Sequence, residues 1–324
     1  MQGIFTISLD FELHWGVFDK KDRESRQACY RNTIQLIPRL LNLFEKYEVH
    51  VTWATVGALF ANDRGEWEKL KPSTLPGYTL EKYSAYKWID QNGLPEDFYF
   101  AHFAPQVINN ILTHPGQELG THTFGHYYCL ERQNGFEAFD ADLKAAKNAA
   151  SKFNSNPVSL VFPRNQFNNE CLKICYNNDI RVVRSNPPNW FWEPIPDGKS
   201  SILRKAFRTG DAYVALGRRT SYPLSTIVVN RGEPLQLPAS RFLRPWSSKY
   251  RLANKLSLRR RLRELNAAAV HKECYHLWWH PENFGDYPEE NIQNLNLLLE
   301  EYRKCKKKYG MTSWNMGEYA NQLT

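Results

Sequence analysis

Short β-branched and aromatic runs alternate with longer amphipathic ones along the whole 324-residue sequence, and no other feature limits the fold as tightly. Ile4 to Leu9, Val49 to Val56, Val158 to Phe162, Ile180 to Val183, Cys274 to Trp279 and Met311 to Trp314 read as strands, each bounded by turn or polar residues. Thr33 to Tyr47, Asp140 to Phe153, Asn168 to Tyr176, Glu290 to Lys308 and Met316 to Leu323 read as helices. In the first of these, Ile34, Ile37, Leu40, Leu41 and Phe44 recur at helical spacing. The alternation predicts parallel βα units in one barrel-like or doubly wound domain covering 1–324. Two stretches interrupt it. Residues 61–104 are polar and aromatic, with turn signals at Pro72, Pro76-Gly77, Gly93 and Pro95. Residues 185–250 are rich in Pro and Trp and then carry short β-like runs such as Thr226 to Val229. Long insertions in a compact α/β domain are usually functional, so both are expected to wall a cleft.

The charge is equally uneven. The 42 Lys and Arg exceed the 34 Asp and Glu, for a net +8. Residues 241–272 alone hold ten basic side chains and one acid, Glu264, so the rest of the chain is close to neutral. From Leu258 onward the segment reads as an amphipathic helix, with Leu258, Leu262, Leu265 and Ala269 on one stripe and Arg259, Arg260 and Arg263 off it. One reading is a solvated helix packing its leucines on the domain. The other is peripheral contact of residues 251–270 with an anionic membrane or a phosphate-bearing lipid carrier. No nucleic-acid module accompanies the charge, and no nucleic-acid partner is expected. The apolar runs are too short to span a bilayer. No basic n-region precedes Asp10 and Glu12, so no signal peptide is visible. The six cysteines are scattered and read as reduced thiols. A cytoplasmic location is expected, with the inner membrane face as the place of any peripheral contact.

Four constellations carry chemistry. T-I-S-L-D-F-E-L-H-W-G (6–16) sets Asp10 and Glu12 where an apolar strand ends, and strand C-termini face the active site in parallel α/β folds. Residues i and i+2 of a strand point to one side, so both carboxylates can face one cleft. E-L-G-T-H-T-F-G-H-Y-Y-C (118–129) carries His122 and His126, which on a helical turn would share a face and a metal. V-F-P-R-N-Q-F (161–167) follows a strand, and the planar fork of Arg164 could orient a carboxylate. C-Y-H-L-W-W-H-P-E-N-F-G (274–285) ends a strongly apolar strand on His280, a candidate general acid in a dry pocket, whereas mid-strand His276 reads as a core residue. Trp190 and Trp192, in the second insertion, are candidates for stacking against a sugar.

Together, in order and content, these motifs resemble the polysaccharide deacetylase family, also called the NodB-homology domain. His122-Thr123-Phe124-Gly125-His126 matches its H-[ST]-x-x-H motif, Arg164 and Phe167 its R-x-x-[YF], and Leu277 and His280 its L-x-x-H. Residues 49–60 are similar to its second strand. The resemblance covers 1–184 and 271–324 well and 185–270 poorly. It implies a distorted (β/α) barrel of about seven parallel strands with insertions at 61–104 and 185–270. It further implies Asp10 as general base, held by Arg164, and a divalent metal, most simply Zn²⁺, on Glu12, His122 and His126. The N–H of Phe167 would bind the oxyanion and His280 would be the general acid. The implied activity is removal of N-acetyl groups from amino sugars of a cell-surface polysaccharide or its precursor. The implied partner is an acetylated glycan or lipid-linked oligosaccharide. Alternatives are hydrolysis of a small or cyclic non-sugar amide, or metal-free glycan or membrane binding on the same scaffold. The sequence departs from the family in three places. Phe11 separates the two acids. Arg184 and Asn186 stand where an acid is expected, leaving no visible residue to orient His280. The 61–104 insertion implies a substrate unlike a simple linear chain.

Overall fold

Nine strands form one sheet in a computed structural model that describes residues 2–323 apart from 134, 197–200, 212–216, 218 and 228. The strands are β1 (Ile4–Phe11), β2 (Val51–Thr55), β3 (Gln117–Thr121), β4 (Ser159–Val161), β5 (Val182–Ser185), β6 (Leu235–Pro238), β7 (Arg241–Phe242), β8 (Cys274–Trp279) and β9 (Thr312–Ser313). The helices are α1 (Gln27–Tyr47), α2 (Arg64–Leu70), α3 (Ala85–Asn92), α4 (Tyr99–His102), α5 (Pro105–Leu112), α6 (Glu137–Ser151), α7 (Asn169–Asn177), α8 (Ile202–Gly210), α9 (Arg251–His271), α10 (Pro288–Tyr309) and α11 (Met316–Leu323). All strand pairings are parallel, in the order β6-β5-β4-β3-β2-β1-β8-β7, with the short β9 beside the start of β1.

The two ends of that order are consecutive in the chain. β6 pairs with β5, and two residues later β7 pairs with β8. The Ala239 N–H donates to the Ser185 carbonyl and the Ser240 N–H to the His276 carbonyl, so residues 235–242 act as one stave that joins both edges. The result is a closed barrel of seven staves, as expected. It also corrects the reading of 185–270 as an insertion: this stretch supplies the closing stave and the helix α9 that leads into β8. Pro238 and the brevity of the Leu-Gln-Leu-Pro run hide the stave, because proline in a run argues against a strand. The β-like run at Thr226 to Val229 is a short 3₁₀ turn over Leu224–Thr226, and Val228 lies outside the described residues.

The period-2 alternation of β1 sorts its side chains. Phe5, Ile7, Leu9 and Phe11 face outward into the main core with Val51, Trp53, Leu277 and Trp279, under Leu36, Leu40 and Phe44 of α1 and Leu295, Leu298 and Leu299 of α10. Thr6, Ser8 and Asp10 face the lumen. That lumen is polar: the Thr6 hydroxyl meets Tyr319 Oη at 2.7 Å, and Ser8 Oγ accepts from Arg184. α11 closes the lower end, where the Met316 N–H donates to Thr52 Oγ1 and the Gly317 N–H to partly buried Glu118. No helix among the described residues is long and apolar enough to cross a membrane.

The buried stripe of α9 is Ser257, Arg261, Leu265, Ala268 and Ala269, with Leu258 and Leu262 only partly covered. It is therefore rotated from the leucine stripe expected, and an arginine lies at its centre. Arg241 and Arg260 are spent inside the fold on Asp211 and Glu264.

Candidate active site

β1 delivers Asp10 to the mouth of the barrel, and Glu12 follows one residue past the strand's end. Both are buried, at 2% and 5% exposure. Leu13 at φ 50° turns the chain at that point. Left-handed backbone is uncommon outside glycine, and Thr123, His126, Arg164 and Asn165 share it in the loops after β3 and β4. Strain of this kind gathers where a loop must aim side chains.

Asp10 is clamped from the opposite wall. Arg184, fully buried near the end of β5, donates Nη1–H to Asp10 Oδ1 at 2.6 Å and Nη2–H to Oδ2 at 2.7 Å. Its guanidinium also bonds Ser8 Oγ at 3.0 Å and Asn165 Oδ1 at 3.1 Å, and lies 4.2 Å over the Trp278 ring. Such a bidentate charge-assisted pair fixes the plane of the carboxylate. The expectation that Arg164 does this is corrected: Arg164 bonds Asp19 at 2.5 Å and stacks on Tyr128 at 4.0 Å and Tyr83 at 5.1 Å. The positive φ at Arg164 and Asn165 turns the motif so that Asn165, not Arg164, reaches the clamp.

The loop after β3 carries His122 and His126, with positive φ in place of the helical turn expected. Asp142 of α6 holds this loop from behind, accepting from the Phe124 N–H at 2.6 Å and the Gly125 N–H at 3.0 Å. Burial pushes the Asp142 carboxyl up to about 7, although these two N–H groups and Tyr86 pull it down. His122 Nε2 lies 2.8 Å and His126 Nε2 3.2 Å from Glu12 Oε1. The three donors lie within 4.8 Å of one another. Burial pushes the Glu12 carboxyl up, but His280, His126 and His122 outweigh it and hold the group well below the usual carboxylate range. His126 Nδ1 meets Tyr128 Oη at 3.0 Å, which leaves Nε2 for the centre of the set.

His122 is 1% exposed, yet neither of its ring nitrogens has a hydrogen bond of acceptable geometry. Buried polar atoms without partners are rare, and two imidazoles and a carboxylate with lone pairs converging on one point suit a divalent cation. A second donor set, Asp10 with Glu12 and His280, is also within 4.8 Å. It fits a cation worse, because both oxygens of Asp10 are already committed to a guanidinium charge.

His280 follows β8 and is the most open of these groups, with its side chain 27% exposed. Its Nε2 lies 3.8 Å from Asp10 Oδ2 and 3.6 Å from Glu12 Oε1. Its Nδ1 meets Asn283 Oδ1 at 3.3 Å, so Asn283 is the residue that orients the ring. His276 is a core residue, as read: burial, and then Arg184, pull it down to about 3, and its Nε2 bonds Ser8 Oγ. Phe167 stacks on Phe162 at 4.9 Å, and its N–H makes no hydrogen bond among the described residues. Trp192 lines a cavity of about 190 Å³ with Asn165, Asn186 and Arg164, whereas Trp190 packs on Phe207 and is not part of its wall. Tyr83, from the 61–104 segment, reaches the same region through Arg164, Tyr78 and Tyr128.

Solved structures that share this fold carry the names of different enzymes. The chain superposes on a candidate polysaccharide deacetylase from Mycobacterium smegmatis with a TM-score of 0.58 at 14% identity, covering 100% of this chain and 91% of that one. It superposes on the α-amylase AmyC from Thermotoga maritima with 0.57 at 12%, covering 100% and 75%. For Puue allantoinase the values are 0.55 at 10%, covering 98% and 89%. No protein-family model and no curated protein matches the sequence. Likeness at this identity is likeness of fold.

Proposed function

We propose that this protein is a metal-dependent amide hydrolase that removes N-acetyl groups from amino sugars of a surface polysaccharide or its lipid-linked precursor, releasing acetate. The observation that carries the reading is the convergence of three units on one buried corner. These are a carboxylate clamped by arginine, a His₂–carboxylate set, and a half-open histidine less than 4 Å from both acids. Glu12, His122 and His126 would hold a divalent metal, Zn²⁺ most simply. When bound, such an ion supplies Lewis acidity and lowers the pKa of water. Asp10 keeps one free acceptor direction on each oxygen despite the clamp, and takes the proton of the attacking water. The Phe167 N–H meets the charge that builds on the amide oxygen. His280, oriented by Asn283, gives its Nε2 proton to the leaving amine. Trp192 offers a sugar-sized face beside the site.

The test is acetate release from N-acetylated glycans of several linkages, supplied with zinc, cobalt or nickel. Release from none of them would defeat the proposal. The second reading, a small non-sugar amide, draws on the narrow opening, since only His280 among the five polar groups is appreciably exposed. Faster turnover of small cyclic amides than of oligosaccharides would favour it.

Gly16 provides a sharper probe of the ligand set. A Cβ there would overlap Glu12 Oε2, so Gly16→Ala must move the carboxylate, which is the free end of a flexible side chain. We expect near-normal stability and metal affinity weakened about 10–100-fold, measured by competitive chelator titration. Unchanged affinity would show that Glu12 is not a ligand.

Membrane contact belongs to the outward face of α9. Leu252, Leu256, Arg259 and Arg263 fall on one exposed line, with Leu252 79% exposed. Arg260 is excluded because its bonds to Asp211 and Glu264 serve the fold. Replacing Arg259 and Arg263 by Gln should weaken binding to phosphatidylserine vesicles about 30-fold, at about 1 kcal/mol per charge, and spare activity on a soluble fragment. Equal binding by the variant would end the membrane reading.

A further inference from the structure

We propose that the cavity between β7, α9 and α10 is a binding site for a phosphate or carboxylate group, with Arg261 as its fixed charge. Among the described residues three arginines are almost fully buried: Arg184 at 1% exposure, Arg261 at 4% and Arg241 at 8%. Arg184 is paired with Asp10, and Arg241 with Asp211 and Glu264. Arg261 has no carboxylate within 4.0 Å among the described residues. Its Nη2–H donates to the Phe242 carbonyl at 3.2 Å, and its Nε has no partner. Burial pulls the guanidinium down to about 10, and Tyr275 and Glu264 offset only part of this. A buried charge without a counter-charge is costly, and an anion in the adjoining cavity would offset that cost.

Arg261 lines a cavity of about 220 Å³ together with Arg244, Ser257, Asn294, Trp246 and Tyr250. Apolar walls from Leu243, Pro245, Leu258 and Phe284 surround these polar and cationic groups, and no carboxylate lines the cavity. The guanidinium fork matches a planar or tetrahedral oxyanion. The cavity backs onto the catalytic wall: Leu243 and Phe284 line it, while neighbouring Phe242 packs on Trp278 at 4.7 Å and His280 at 6.0 Å. The anion is either a free one or an acidic substituent of the glycan, and only the second source rests on the hydrolase reading.

Thermal unfolding of the full chain in inorganic phosphate, at constant ionic strength with chloride, tests the site directly. We expect a saturable rise in Tm of about 4 °C or more at a hundredfold excess over Kd. Arg261→Lys keeps a point charge but loses the fork, and should bind phosphate at least about tenfold more weakly. Arg261→Met should show no rise, and Arg244→Gln gives a second variant should Arg261→Met not fold. No saturable rise in the wild type, or an undiminished rise in the Arg261 variants, overturns the proposal. Phosphate that raises KM for a uronate-bearing acetylated oligosaccharide but not for a neutral one identifies the source as a substituent. Binding without that effect identifies a free anion. The titration needs no catalytic turnover, so its outcome stands apart from that of the hydrolase reading.

Discussion

With Asp10 as the proposed base, Asp10→Asn is expected to bind a divalent metal like the wild type and to release acetate at least about 10²-fold more slowly, because an amide cannot take the proton of the attacking water. The substitution also strips Arg184 of its counter-charge in a fully buried position. Breaking a buried pair costs about 3–5 kcal/mol, so the comparison must be made well below the variant's Tm. Arg184→Met removes the other half of the clamp and leaves Asp10 buried without its two donors at 2.6 and 2.7 Å. It should lose activity on a similar scale. Arg164→Gln should keep activity within a few-fold, since Arg164 bonds Asp19 and not Asp10. Full activity of Asp10→Asn would remove it as the base, and a large loss in Arg164→Gln with an intact Arg184→Met would restore the role first expected of Arg164.

The double variant His122→Ala, His126→Ala should carry no stoichiometric metal and no measurable turnover. Two of the three proposed ligands are gone, and a single carboxylate holds a divalent ion poorly. Chelator treatment of the wild type should give the same loss, reversed on adding metal, whereas the variant should not recover. Metal content by elemental analysis decides the matter independently of activity. Stoichiometric metal in the double variant would place the ion on Asp10, Glu12 and His280 instead.

The outward half of the barrel was legible because Phe5, Ile7 and Leu9 alternate with Thr6, Ser8 and Asp10 along β1, and because β2 and β8 are apolar and aromatic runs of strand length. Asp10, Glu12 and His280 were legible as candidates from their places at strand ends, and His122 and His126 from their H-x-x-x-H spacing. What could not be read was which groups pair across the lumen. Arg184 and Asp10 are 174 residues apart and meet only because β5 stands opposite β1. A signal did exist: an arginine inside Val-Val-Arg-Ser, at a buried strand end, must find a carboxylate. Asp142 was hidden for a different reason. It looks like one more polar residue of an Ala/Lys-rich helix, and only the fold brings it under the Phe124 and Gly125 amides. The closing stave was hidden by Pro238 and by its split between two partners.

That split stave makes the barrel uneven in its resistance to opening. β1 exchanges hydrogen bonds along its length with β2 and β8, whereas the seam is held on one side by four residues and on the other by two. Local opening is easiest where few backbone bonds are protected, so amide hydrogens of Ala239, Ser240 and Leu243 should exchange with solvent sooner than those of Ile7 to Leu9. The walls on either side of the seam carry Arg184 and His280. A breath of the barrel at this stave would part the clamp from the acid while the rest of the molecule stays folded. Activity would then vanish on heating some degrees before the cooperative melt.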